Sequence, residues 1–251
     1  MKKVRGFMTV LLMIIAAGSR PGFPQSQEAA RTVKIFGRVT DFKGQPVVGA
    51  TIELKDSRFK NAAATNSGPD GRYALAVPKG HYLALTAVKG YQIQSLEYWA
   101  WNVPADRDLE INPRFDRLEV YAINAWRPQG AFPSFQIYFR PMSLSAVVKK
   151  VTEAGGMENF RHLPVMDIAP ELGKKDIAVV IDGQSVNVLE LNKVREAAGP
   201  HQSMFGYVIQ VTLPEKKPES EYSVITITLT DPATGEKGEG CLFIRAELTQ
   251  S

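Results

Sequence analysis

The sequence predicts an all-β protein built of two antiparallel β-sandwiches, and three observations carry that prediction. Apolar and polar residues alternate with the period of two that marks a half-buried strand: Val33, Ile35, Gly37 and Val39 interleave with Lys34, Phe36, Arg38 and Thr40. Turn-forming clusters then punctuate the chain at short intervals, at residues 41–44, 66–71, 78–80 and 89–90. Helical periodicity, by contrast, is missing between residues 32 and 91. It surfaces only at residues 143–153, where Leu144, Val147, Val148 and Val151 fall three and four apart.

The 251 residues are 44% hydrophobic and 22% charged, enough for one large domain or two of roughly 100–150 residues. Residues 1–18 stand apart. Lys2, Lys3 and Arg5 precede an apolar run from Phe7 to Ala17, followed by Ala16-Ala17-Gly18. A run of eleven residues makes a helix too short for a hydrocarbon core of about 30 Å, so the pattern reads as a cleavable secretory signal peptide. Residues 19–31, with Pro21 and Pro24, read as a flexible leader. The expected location is therefore secreted or periplasmic, with no stable membrane span after cleavage. Removing three positive charges from a formal net charge of +4 leaves +1. Without a basic field, nucleic acid is not an expected partner. The single cysteine, Cys241, sits in an apolar run and reads as a buried hydrophobe.

Residues 32–113 supply the first expected sandwich. After the strand at Val33, Ala50, Ile52 and Leu54 share one face of a second strand. Tyr73, Leu75 and Val77 share a face of a third, and Tyr82 to Ala87 continue the pattern. Residues 111–117 read as a boundary. Residues 115–248 supply the second sandwich, immunoglobulin-like in style but without paired cysteines. Its strands are expected at residues 118–125, 135–139, 177–181, 186–191, 207–213, 223–230 and 240–245. Asp182-Gly183 and residues 231–235 mark hairpins. Arg140-Pro141-Met142 is expected to interrupt the sheet, opening an insertion at 143–175 that is helical at first and irregular after Gly155-Gly156.

Several pieces of the first half recur together: Gly37-Arg38-Val39-Thr40-Asp41, Gly44-Gln45-Pro46-Val47-Val48-Gly49-Ala50, Asp70-Gly71-Arg72-Tyr73, and Val77-Pro78-Lys79-Gly80-His81-Tyr82. In this order the stretch resembles the carboxypeptidase regulatory-like domain, a transthyretin-like sandwich of the carbohydrate-binding-like fold group. The resemblance covers about a third of the chain and implies a fold. Its residues are turns and core positions, so it hands over no catalytic side chain. The second half resembles no family we can name.

Chemistry is sparse. His81, His162 and His201 are followed three residues later by Ala84, Val165 and Met204, so neither H-x-x-E nor H-E-x-x-H occurs, and no zinc site is expected. The chain also lacks a G-x-S-x-G elbow and a glycine-rich phosphate loop. Asp41, Asn66 and Asp70 read as turn residues rather than calcium ligands, and Trp126 and Phe132 as edge packing. The remaining candidate is Tyr98-Trp99-Ala100-Trp101-Asn102. On a strand, Trp99 and Trp101 share a face and, if exposed, would offer a stacking platform for sugar rings, with Asn102 and Glu97 as hydrogen-bonding neighbours. Burial of both indoles in a core or between domains is the usual fate of aromatic side chains and the favoured expectation, with the platform as its competitor. The sequence thus points to an exported, non-catalytic binding or structural module with no cofactor and no metal, contacting a partner protein or a surface glycan. A carbohydrate-binding protein using Trp99 and Trp101 is one alternative, and an accessory subunit of a secreted enzyme or a cryptic hydrolase the other.

Overall fold

The computed structural model describes residues 31–130, 132–216 and 218–249. The expected signal peptide at 1–18 and nearly all of the leader lie outside the described residues. The strands run β1 (Thr32–Arg38), β2 (Thr51–Lys55), β3 (Asn61–Asn66), β4 (Arg72–Pro78), β5 (Gly80–Val88), β6 (Tyr98–Ala105), β7 (Leu109–Glu110) and β8 (Leu118–Trp126). After β9 (Ser134–Ser143) come helices α1 (Leu144–Glu153) and α2 (Met157–Arg161), then β10 (Val165–Met166), β11 (Ile177–Ile181) and β12 (Gln184–Val186). The chain closes with β13 (Val188–Gly199), β14 (Gln202–Thr212), β15 (Tyr222–Thr230) and β16 (Lys237–Arg245).

These strands form three sheets. A three-stranded sheet has the order β4-β1-β7, and a five-stranded sheet has β10-β14-β9-β8 with β13 along β14. The third sheet joins both halves of the chain: eight strands in the order β12-β11-β15-β16-β6-β5-β2-β3. The link is a parallel pairing of β16 with β6, in which Gly240 faces Trp99 and Leu242 faces Trp101. The eight-stranded sheet therefore crosses the boundary that residues 111–117 suggest, and Arg31–Ser251 is one compact unit.

Two cores explain this arrangement. The first lies between the three-stranded sheet and one half of the eight-stranded sheet, with Ile35, Ile52, Leu54, Leu85 and Tyr98 among its buried residues. The second lies between the other half and the five-stranded sheet, around Phe135, Phe139, Tyr207, Ile225 and Ile227. Because side chains alternate across a strand, β16 serves both. Cys241 and Phe243 enter the first core, while Leu242 and Ile244 enter the second. All seven residues between Lys237 and Arg245 are buried, which makes β16 the shared wall of the molecule. Cys241 is the buried hydrophobe the sequence suggests: burial pushes its thiol up to about 12.

Arginines of the linker fasten it to this wall. Arg114 Nε donates to Glu239 at 3.1 Å, and Arg117 Nε donates to Glu236 at 2.8 Å. Both glutamates are buried, and Ser143 and Ser145 also donate to Glu236.

The structure departs from the local reading of the sequence at several places. Pro141 does not interrupt the sheet: β9 runs on to Ser143, with Pro141 opposite Val120 of β8. Pairing with β14 ends at Phe139, so no second neighbour needs the N–H that proline lacks. The strand at Val186 to Leu191 divides, β12 staying in the eight-stranded sheet while β13 crosses to pair with β14. Strand β3 carries no apolar alternation, only Asn-Ala-Ala-Ala-Thr-Asn, and pairs as the edge of the eight-stranded sheet. Within the insertion, Ser143 caps α1 as expected of a serine before a helix, its Oγ accepting from the Ala146 N–H. Residues 157–175 are less irregular than the sequence suggests, holding α2 and β10.

Candidate functional site

Strand β6 places Trp99 and Trp101 on the face of the sheet turned away from the first core, as the alternation predicts. Their surroundings are not those of an exposed platform. The indoles stack on each other with centroids 5.0 Å apart and planes 9° from parallel. Trp99 also stacks on Phe59 at 5.8 Å. With a ring on each side and 8% of its surface exposed, Trp99 leaves no open face for a sugar. Trp101 packs against the second core. The pair is therefore a column that braces the two halves, as the burial expectation has it.

Glu97 and Asn102, the other two candidates, separate. Asn102 is exposed and adopts a left-handed backbone, with φ of 57°. Glu97 lies half-buried beside a residue that sequence reasoning missed, Glu119 of β8, which is 2% exposed. Trp99 Nε1 donates to Glu119 Oε1 at 2.8 Å, and the Glu97 N–H approaches Oε2 at 3.4 Å. Burial pushes the Glu119 carboxyl up to about 8 despite the indole donor, and the Glu97 charge adds to the shift. Burial likewise raises Glu97 to about 6, against the pull of Lys55 and with a further push from Glu53. No pattern in the sequence marks Glu119. Its partners, Glu97 and Trp99, lie at and just before the start of β6, some twenty residues earlier.

At the outer end of the column stands Phe59, 50% exposed. It sits at φ of 63° in the turn between β2 and β3, a conformation that a bulky residue rarely takes. Asp56 holds the turn: its Oδ1 accepts from the N–H groups of Arg58 at 2.8 Å and Lys60 at 2.9 Å. Lys55 Nζ lies 5.7 Å from the Phe59 ring centre. Lys55 also donates to Asn61 Oδ1 at 2.6 Å, and Asn61 donates to Glu53 at 2.7 Å. The result is an aromatic ring on a stiff base, rimmed by an ammonium, an amide and a carboxylate.

The remaining sequence candidates take structural places. Asp41 and Asp70 accept backbone N–H groups of their own turns. His81 meets the Tyr222 hydroxyl and His162 meets Glu158, both at 3.2 Å. Among the described residues no group of three or more His, Cys, Asp or Glu is placed to hold a metal ion, and no helix is long and apolar enough to cross a membrane. Trp126 and Phe132 are 45% and 66% exposed, more than edge packing implies.

Fold and site together define a twin-core β-sandwich protein with an aromatic–carboxylate cluster at the junction of its sheets. Residues 34–114 match the family model of the carboxypeptidase regulatory-like domain, which is the resemblance seen in the sequence. No curated protein matches the sequence. Solved structures with partial similarity include a DUF3823 family protein from Bacteroides ovatus, with 8% identity, TM-score 0.27, and coverage of 85% of this chain and 96% of that one. Another DUF3823 family protein, from Parabacteroides merdae, shows 12% identity and TM-score 0.27, covering 86% of this chain and 100% of that one. BcpA, the major pilin subunit of Bacillus cereus, shows 12% identity and TM-score 0.28, covering 86% and 69%. Superpositions this loose carry no functional argument.

Proposed function

We propose that the protein is a non-catalytic binding module of the cell exterior, and that the Phe59 end of the aromatic column is its contact surface. The observation that carries this reading is Phe59 itself. A phenyl ring held in a left-handed conformation costs on the order of 1–3 kcal/mol, yet half of its surface is left in solvent. The stacked indoles beneath fix the ring in place, so a ligand would meet a surface that is already ordered.

Carbohydrate is the ligand class that the rim favours. A pyranose ring presents an apolar face to Phe59 and hydroxyls to Lys55, Asn61 and Glu53, and these already form one hydrogen-bonded set. In this reading Trp99 and Trp101 support the binding ring and do not touch the sugar. The test is retention on a panel of immobilised polysaccharides, comparing the wild type with Phe59→Ala. Loss of retention by a variant that still unfolds cooperatively is expected. Equal retention of the variant removes Phe59 from the site, and equal passage of the wild type over every polysaccharide removes the glycan reading.

A further inference from the structure

The outer face of the three-stranded sheet carries a second feature, distant in chemistry from the aromatic column. A cleft of about 400 Å³ opens there, lined by Phe36, Arg38, Arg72, Glu110, Asn112 and Arg114. Its volume lies in the range of small-molecule sites.

The register of β1 and β4 sets Arg38 directly opposite Arg72. Like charges in cross-strand pairs are destabilising unless something lies between them. Asp70 meets part of the demand: its carbonyl accepts from Arg38 Nε at 2.9 Å, and its carboxylate pairs with Arg72 Nε at 3.3 Å. Asp70 thus meets the two guanidiniums with one carboxylate and one backbone carbonyl, and Arg38 has no carboxylate partner among the described residues. The terminal nitrogens of Arg38 have no protein partner among the described residues. Arg114 is a third cation of the lining, itself paired with Glu239 and lying over the Phe42 ring. Asn112 anchors the cleft wall, its Oδ1 accepting the Arg38 N–H at 2.8 Å while its amide donates to Glu110 at 3.1 Å. The half-buried Phe36 ring supplies the apolar part of the lining.

We infer that this cleft binds a carboxylate-bearing ligand between Arg38 and Arg72, with Phe36 beneath its hydrocarbon part. Guanidinium forks match a planar carboxylate with two parallel hydrogen bonds, which an ammonium does not reproduce. The carboxylate has two possible sources: a free small polycarboxylic acid, or a uronic acid within a polysaccharide.

Calorimetric titration at low ionic strength with citrate and with an oligogalacturonate tests the inference. At least one probe is expected to bind at one site per chain, citrate alone indicating the free acid and tighter binding of the oligomer the polymer. Arg38→Ala/Arg72→Ala weakens that binding by about tenfold or more, as does Arg38→Lys/Arg72→Lys, which keeps the charge but loses the fork. Both arginine side chains project from the sheet surface, and melting curves verify that the variants fold. In the wild type, amide shifts of Gly37 and of the Asn112 side chain during titration locate the ligand without any substitution. Binding of neither probe at millimolar concentration, unchanged affinity in the alanine pair, lysine variants as good as the wild type, or shifts that avoid Gly37 and Asn112 would each overturn the proposal.

Discussion

Trp99 of β6 donates its indole N–H to the carboxylate of Glu119 on β8 at 2.8 Å, a hydrogen bond that ties the eight-stranded sheet to the five-stranded one. The acceptor is buried, and no cation is paired with it among the described residues. Its carboxyl is raised from 4.5 to about 8 by desolvation, a shift that Glu97 reinforces.

That bond has a pH signature. In the unfolded chain Glu119 loses its proton near its ordinary value, whereas the folded protein retains it up to about 8. Between those values the native state binds more protons than the unfolded state, so stability falls as pH rises through the window. Glu97, raised to about 6, adds to the same slope at its lower end. Carboxylates held low by partners, such as Glu196 beside Arg140, act on the acid side of this range and in the opposite direction. The melting temperature is therefore expected to decline from pH 5 to pH 8, and Glu119→Gln, which keeps an acceptor for Trp99, should flatten the decline. A variant profile parallel to the wild type would show that Glu119 ionises freely in the fold.

Gly240 has a steric reason to lack a side chain. A Cβ there would stand 2.3 Å from the Val120 carbonyl oxygen and 3.0 Å from Ile123 Cδ1, because β16 passes directly against β8. Overpacking of this kind costs about 1–3 kcal/mol. Gly240→Ala should lower the denaturation midpoint accordingly, whereas Gly80→Ala, with nothing within 4 Å, should leave it nearly unchanged. Equal effects at the two positions would mean that the β8–β16 approach is looser than described.

The pair Arg114–Glu239 gives a third expectation. Arg114→Ala strands a carboxylate whose side chain is 6% exposed, leaving it only the Thr228 hydroxyl at 2.9 Å. Removing one partner of a fully buried pair costs about 3–5 kcal/mol. Arg114 is 45% exposed, so solvent reduces the figure to roughly 1–3 kcal/mol. Adding Glu239→Gln should restore part of the loss in urea unfolding. An additive double variant would show that the two groups do not interact.

Legibility in the sequence followed the reach of local pattern. The alternation at Val33 to Val39 and at Ser223 to Thr230 became β1 and β15 with the expected buried faces. The Asp182-Gly183 turn and the helix after Ser143 also fell where local pattern put them. Strand β3 escaped because an edge strand of alanines and asparagines has no buried face to announce it. Pro141 misled because its cost depends on whether a neighbour needs its N–H, which sequence does not state. Trp99 and Trp101 lay on the predicted face, yet their exposure depended on Phe59, forty residues earlier, and on Glu119, twenty later.

By itself the amino-acid order determined strand class, turn positions, the regulatory-like character of residues 34–114 and which side chains share a face. These follow from short-range sterics and from a repeat of two, which the backbone enforces residue by residue. Only the tertiary structure decided that β6 and β16 would lie parallel and fuse the two halves into one sheet. It also set Glu119 under an indole and brought Arg38 opposite Arg72. Those outcomes depend on contacts between segments far apart in the chain, where burial and strand register, rather than any local pattern, select the partner.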